Sequence, residues 1–240
     1  MMNNTPPVTK NLIIINILCF MAAIVGERYG MNLNNLLGLH YFESEKFKLY
    51  QLFTYMFMHS GFEHIFFNMF AVWMFGRILE TVWGPQRFLF FYILCGIGAG
   101  LVQEVTQYIE FMPLMHDAAQ FATYPGSEII SINGTSRTAT AWLALCQQII
   151  SVPTVGASGA VYAILMAFAM LFPNQKIFIF PLPMPIKAKW LIIGYFVLEL
   201  GMGIMNNDGI AHFAHLGGMV FGFILIMYWK KKGTLHGRYF

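Results

Sequence analysis

Six apolar stretches, Lys10–Gly26, Glu63–Val82, Phe88–Gln107, Ser158–Phe172, Lys187–Met205 and Ile210–Trp229, leave this chain little choice of solvent. A helix needs roughly 20 residues to cross a bilayer, and backbone in lipid must satisfy its own hydrogen bonds, so each stretch reads as a helix. Only 10% of the residues are charged and 58% are hydrophobic, whereas a soluble domain carries about a quarter charged. The expectation is an all-α polytopic membrane protein, a six-helix bundle forming a single membrane-embedded domain over residues 1–240. Lys10 ahead of the first run has the look of a secretory signal, but no small-x-small site follows Val25, and the run is read as a retained helix.

Six helices put both ends of the bundle on one side. With those ends cytoplasmic, ten of the Lys and Arg residues fall inside, among them Lys176, Lys187 and Lys230 to Lys232, against four outside (Arg28, Lys46, Lys48 and Arg137). That asymmetry fixes the orientation and suggests the plasma membrane, with external loops at Glu27–Phe62, Tyr108–Ala157 and Asn206–Gly209. The net charge of +3 is scattered and gives no nucleic-acid surface. Cys19, Cys95 and Cys146 make neither a CxxC pair nor a disulfide framework, so they read as packing residues.

Gly156-Ala157-Ser158-Gly159 sets a lone serine among small residues at the start of the fourth helix. Small residues at membrane helix contacts ordinarily mean close packing, and alone the tetrapeptide says no more. Length adds to it. Bounded by Gly156 and Pro173, the helix is roughly 22 Å long against a hydrocarbon core of about 30 Å. Its first residue, Ser158, must then stop below the outer surface, with Gln147–Val155 dipping into the protein as shielded backbone.

Polar residues on other helices fall at the same depth. His64 and Asn68 share a face of the second helix one turn apart, and His215 lies about 9 Å below the start of the sixth, at ~1.5 Å per residue. Polar groups in a span are costly and mark function by default. Gly218 and Gly222 below His215, and Gly159 and Ala163 below Ser158, form small-xxx-small faces that let two helices approach. That approach would bring a hydroxyl and an imidazole into hydrogen-bond reach, the geometry of general-base activation. His212 and His215 show no HExxH pattern and no third ligand at suitable spacing, so no metal is expected.

These residues resemble the rhomboid family of intramembrane serine proteases from about Leu49 to Gly222. The resemblance is carried by His59, His64-x-x-x-Asn68, Gly156-Ala157-Ser158-Gly159 with Tyr162, and Ala214-His215-Leu216-Gly217-Gly218 with Gly222. It implies a six-helix core and cleavage of transmembrane segments of other proteins, using neither metal nor nucleotide. It makes Ser158 the nucleophile and His215 the general base. His64, Asn68 and the Ser158 backbone N–H would form the oxyanion hole, and Tyr162 would pack on the His215 ring. Glu80 matches a family position where a carboxylate ties helix and loop, and His59 is expected to hold the external loop.

No acidic third member is visible in the sequence, so a Ser–His dyad is expected. Many rhomboids have Trp-Arg where this chain has Tyr50-Gln51, which leaves the anchoring of the first external loop open. Ile109–Val152, with His116, Asp117, Arg137 and Trp142, and Glu199 in the fifth helix have no assigned role. The retention of Ser158, His215, His64 and Asn68 counts against the alternative, a catalytically silent relative that binds membrane clients.

Overall fold

The computed structural model describes residues 5–121, 123–132, 135–178, 184–205 and 211–234. Helix α1 runs Pro7–Arg28, followed by the short α2 (Leu33–Leu37) and α3 (Gln51–Thr54). The next span, Phe62–Trp83, consists of α4 (Phe62–Ala71), a wide π-turn at Val72–Gly76 and α5 (Arg77–Trp83). The long α6 (Pro85–Phe121) leads to a hairpin of β1 (Ile129–Ile132) and β2 (Thr135–Thr138), then α7 (Ala139–Ser151) and α8 (Ser158–Leu171). A two-residue ladder, β3 (Lys176–Ile177) with β4 (Ile186–Lys187), precedes α9 (Ala188–Met205) and α10 (His212–Lys231).

Among the described residues, five helices are long and apolar enough to cross a membrane, and α8 is a shorter apolar helix of 14 residues. The chain is a multi-pass integral membrane protein. Contacts at the two ends fix how the spans alternate. At the lower face, Glu80 meets the start of α1, Trp83 packs edge-on against Trp229, and the Arg87 guanidinium donates to the Thr234 carbonyl. At the upper face, the Gly156 N–H donates to the Tyr55 carbonyl, and Leu39 and Thr154 exchange backbone hydrogen bonds of 2.9 and 2.7 Å. Those bonds satisfy the irregular strand that leads down to Ser158, as shielded backbone at membrane depth requires. The dip is shorter than the sequence suggested, because Gln147–Ser151 belong to α7.

The centre of the bundle is α8, enclosed by α10 and α6. Its buried residues are mostly small: Gly159, Ala160, Ala163, Ala167 and Ala169. A β-carbon added to Gly218 would lie 1.9 Å from the Gly159 carbonyl oxygen, and one on Gly222 would lie 3.2 Å from Ala163 Cα. Here backbone touches backbone. Dispersion between closely packed helices replaces the hydrophobic drive that lipid cannot supply.

Two polar anchors hold the periphery. The buried Glu80 carboxylate accepts from the Val8 N–H at 2.9 Å and from the Thr9 N–H and hydroxyl, each at 2.7 Å. It therefore caps α1, satisfying N–H groups that have no partner within the helix and placing negative charge at the positive dipole end. Gln51, 1% exposed, settles the anchoring of the first loop. Its amide nitrogen donates to the Leu36 and Lys46 carbonyls at 3.2 and 3.0 Å, and its oxygen accepts from the Lys48 N–H at 3.1 Å. The loop is thus held by a neutral amide in place of a guanidinium.

The unassigned stretch after Ile109 is a structured cap: the Trp142 indole donates to the Ile130 carbonyl at 2.9 Å, and the Arg137 guanidinium lies over the Trp142 ring. The side chains of His116 and Asp117, and the segment Asn206–Gly209, fall outside the described residues.

Gly218→Val would force a side chain into the Gly159 carbonyl, where nothing flexible can yield. The expected cost is about 1–3 kcal/mol or more, read as a lower unfolding temperature in detergent. Gly194→Ala on α9, where a β-carbon meets nothing within 4 Å, should not lower it.

Candidate active site

Ser158 is the first residue of α8, and the conformation that delivers it depends on Gly156. Gly156 has φ +131°, a region that L side chains rarely adopt, and a β-carbon there would lie 2.7 Å from His64 Nε2 and 3.5 Å from Ser158 Oγ. Glycine is required on both counts. The imidazole of His64 and the hydroxyl of Ser158 therefore border the same small space, beside the free N–H groups at the start of α8.

His215 approaches from α10 across the Gly159–Gly218 contact. Its Nε2 lies 2.9 Å from Ser158 Oγ, and its ring stacks on that of Tyr162 with centroids 4.4 Å apart and planes 14° from parallel. Ser158, His64 and His215 are half-buried, whereas Asn68, Glu199 and His212 are buried. Ser158, His64 and His215 thus keep partial exposure beside fully covered polar groups.

Two donors stand ready. His64 Nδ1 lies 3.0 Å from Ser60 Oγ and accepts from the Ser60 backbone N–H at 3.5 Å. A backbone N–H can only donate, so in the neutral ring Nδ1 is the acceptor and Nε2 carries the hydrogen. Asn68 Nδ2 is buried without a hydrogen-bond partner among the described residues. Leaving such a donor unpaired costs about 1–3 kcal/mol, a cost that a ligand oxygen would offset.

The structure also supplies an acid that sequence spacing did not reveal. Glu199 of α9 is buried between α8 and α10, with Oε1 accepting a short hydrogen bond from the Tyr162 hydroxyl. Its Oε2 lies 2.6 Å from His212 Nδ1 and 3.0 Å from His215 Nδ1, the latter within ion-pair range but not aligned as a hydrogen bond. Glu199, His212 and His215 are also a set of metal-ligand types, with donor atoms within 4.8 Å of one another. A third ligand type, which chain spacing did not offer, therefore exists in space. The 2.6 Å contact has the length of a charge-assisted hydrogen bond. Half of the signal was available, the depth: Glu199 lies six residues from the end of α9, or ~9 Å below it, close to the depth assigned to His215, whereas the face it turns inward was not.

The family model for the rhomboid domain matches residues 46–232. This chain belongs to the rhomboid family. It is 29% identical over 214 residues to the RHOMBOID-like protein 12, mitochondrial, of Arabidopsis thaliana, covering 88% of this chain and 55% of that one. It is 26% identical to Rhomboid protein 1, mitochondrial, of Saccharomyces cerevisiae, covering 73% of this chain and 40% of that one. Rhomboid protease GluP of Bacillus subtilis is 25% identical over 72% of this chain and 25% of its own length. The rhomboid described here thus spans about half or less of these relatives.

His59 stands just ahead of α4 in this rhomboid, 1% exposed, with its ring edge-on to His64 at 5.1 Å. It ties the first loop through its carbonyl, which accepts from Asn34 Nδ2 at 3.1 Å. Burial, reinforced by the His64 ring, pushes the His59 imidazole down to about 3. An unfolded histidine titrates near 6.5, so below that pH the unfolded chain binds a proton that the folded one does not. Stability therefore falls with pH between about 6.5 and 3, by up to ~1.4 kcal/mol per unit from this group. His59→Phe should show a smaller drop in unfolding temperature than wild type between about pH 7 and pH 5.

Proposed function

We propose that this rhomboid is a serine endopeptidase that cuts transmembrane segments of other membrane proteins, with Ser158 as nucleophile and His215 as general base. The observation that carries the reading is the 2.9 Å contact of Ser158 Oγ with His215 Nε2 at the start of a short helix. His215 takes the hydroxyl proton as Oγ adds to a peptide carbonyl, and returns it to the departing amine. The acyl-enzyme then yields to water activated by the same ring. The tetrahedral oxyanion would be met by the Ser158 N–H, His64 Nε2–H and Asn68 Nδ2, donors whose value rises where water is scarce. This account needs no metal, nucleotide or other cofactor.

The partners that fit are the bilayer and transmembrane helices entering from it. A helix must unwind to present its backbone, and that sacrifices hydrogen bonds in lipid, so Gly or Pro near the cut is expected. The close spacing of Gly156, His64 and Ser158 favours a small residue before the scissile bond. We read residues 1–240 as one membrane-embedded domain in the plasma membrane, with the Pro7 and Lys231 ends of the bundle cytoplasmic. The basic residues Arg77, Arg87, Lys189, Lys230, Lys231 and Lys232 at the lower face support that orientation.

In proteoliposomes with a transmembrane substrate, Ser158→Ala should abolish cleavage, a loss of about 10⁴-fold or more, and prevent labelling by a fluorophosphonate. Asn68→Ala should lower kcat by about 10²-fold. Cleavage that survives Ser158→Ala would sink the assignment.

A further inference from the structure

We propose that Glu199 is the positioning residue for His215: its carboxylate, held by Tyr162 and His212, selects the imidazole tautomer that can accept the Ser158 proton. The proposal rests on the reading of Ser158 and His215 as nucleophile and base. A neutral imidazole has one donor and one acceptor nitrogen. For Nε2 to accept from Ser158 Oγ, Nδ1 must carry the hydrogen, and that hydrogen needs an acceptor. Glu199 Oε2 stands 3.0 Å from His215 Nδ1. Without it the opposite tautomer, unable to accept from serine, competes. Once the proton has moved, the ring is positive and the carboxylate balances it across that distance, the task of the acid in a Ser-His-Asp arrangement.

Three features fit this role better than that of a mere cross-link. A carboxylate within a span is costly and so is retained for a purpose. Its oxygens are held in a fixed order: Oε1 accepts from Tyr162, and Oε2 is bound to His212 Nδ1 and stands within ion-pair range of His215 Nδ1, so that a small rotation of the ring would align the two. Tyr162, which donates to Oε1, also stacks on the His215 ring. One side chain thus holds the ring by its face, and the carboxylate it anchors addresses the ring by its edge. Among the described residues, the titratable groups around His215 are Glu199 from α9, His212 on its own helix, Ser158 and Tyr162 from α8 and His64 from α4, and Glu199 is the only carboxylate among these.

The test compares wild type, Glu199→Gln, Glu199→Asp and Ser158→Ala, each as the full chain in proteoliposomes. It measures fluorophosphonate labelling, kcat and KM on a transmembrane substrate, and unfolding temperature. Glu199→Gln keeps the size and an acceptor for Tyr162 but loses the charge. The expected result is a kcat lowered by roughly 10²- to 10⁴-fold with KM and unfolding temperature near wild type, partial recovery in Glu199→Asp, and nitrogen-15 resonances showing a single Nδ1–H tautomer of His215 in wild type only. Wild-type kcat in Glu199→Gln, or a kcat loss that merely follows a loss of stability, overturns the proposal. Activity abolished by a chelator and restored by zinc would overturn it too, making Glu199, His212 and His215 ligands. A wild type inert to both probe and substrate overturns the protease reading itself, whereas an active wild type beside an equally active Glu199→Gln overturns this inference alone.

Discussion

The carbonyl of Gly159 occupies the space that any side chain on Gly218 would need, and the geometry of the centre depends on that contact. The two helices can lie so close here because Gly218 carries no β-carbon, while one on Gly159 would instead meet Ala99 Cβ of α6 at 2.4 Å. In lipid the reward is van der Waals contact and not the expulsion of water. Because Ser158 directly precedes Gly159 and His215 is one turn before Gly218, the same approach sets the separation of hydroxyl and imidazole. Main chain thus fixes how far apart the two residues stand, and the stack of Tyr162 on the His215 ring restricts the side-chain rotation that completes the contact.

The site is polar in a place where polarity is expensive, and much of that cost is met by specific partners. The dipping strand before α8 gives its backbone groups to Leu39 and Tyr55. Glu199 is surrounded by a hydroxyl and two imidazoles. Asn68 Nδ2, one turn below His64 on α4, is among the buried side-chain nitrogens without a hydrogen-bond partner among the described residues, as are His215 Nδ1 and both ring nitrogens of His59. A donor left unpaired in the free protein is what the proposed preorganisation would require.

That Ser158, His64 and His215 come together was legible as a common depth, because helix length and depth are one-dimensional quantities that a sequence carries. The small-residue faces of α8 and α10 were legible for the same reason, as a spacing of four. What escaped was lateral: depth arithmetic does not say which face of α9 turns inward, so Glu199 could not be joined to His215 without the fold. Gln51 escaped because its partners are carbonyls of a non-repetitive loop, which leave no mark in side-chain chemistry. Glu80 was recognised as structural, yet its partner proved to be the start of α1 in place of a loop, a pairing across 72 residues. The hairpin and α7 after Ile109 replace what sequence alone left blank, because four-residue strands carry little periodic signal.

The Glu80 cap has a meaning for how the protein is made. The helix that contains Val8 and Thr9 is synthesised well before residue 80, and until that carboxylate arrives its first N–H groups must find water. They can do so only at the membrane interface, so the start of α1 is held at the surface while the next span inserts. The hydrogen bonds at Val8 and Thr9 then close when the second span has returned to the same side. The bonds can form only when the start of α1 and the end of the second span lie on the same side, so a misinserted hairpin would leave both the acid and the amides unpaired.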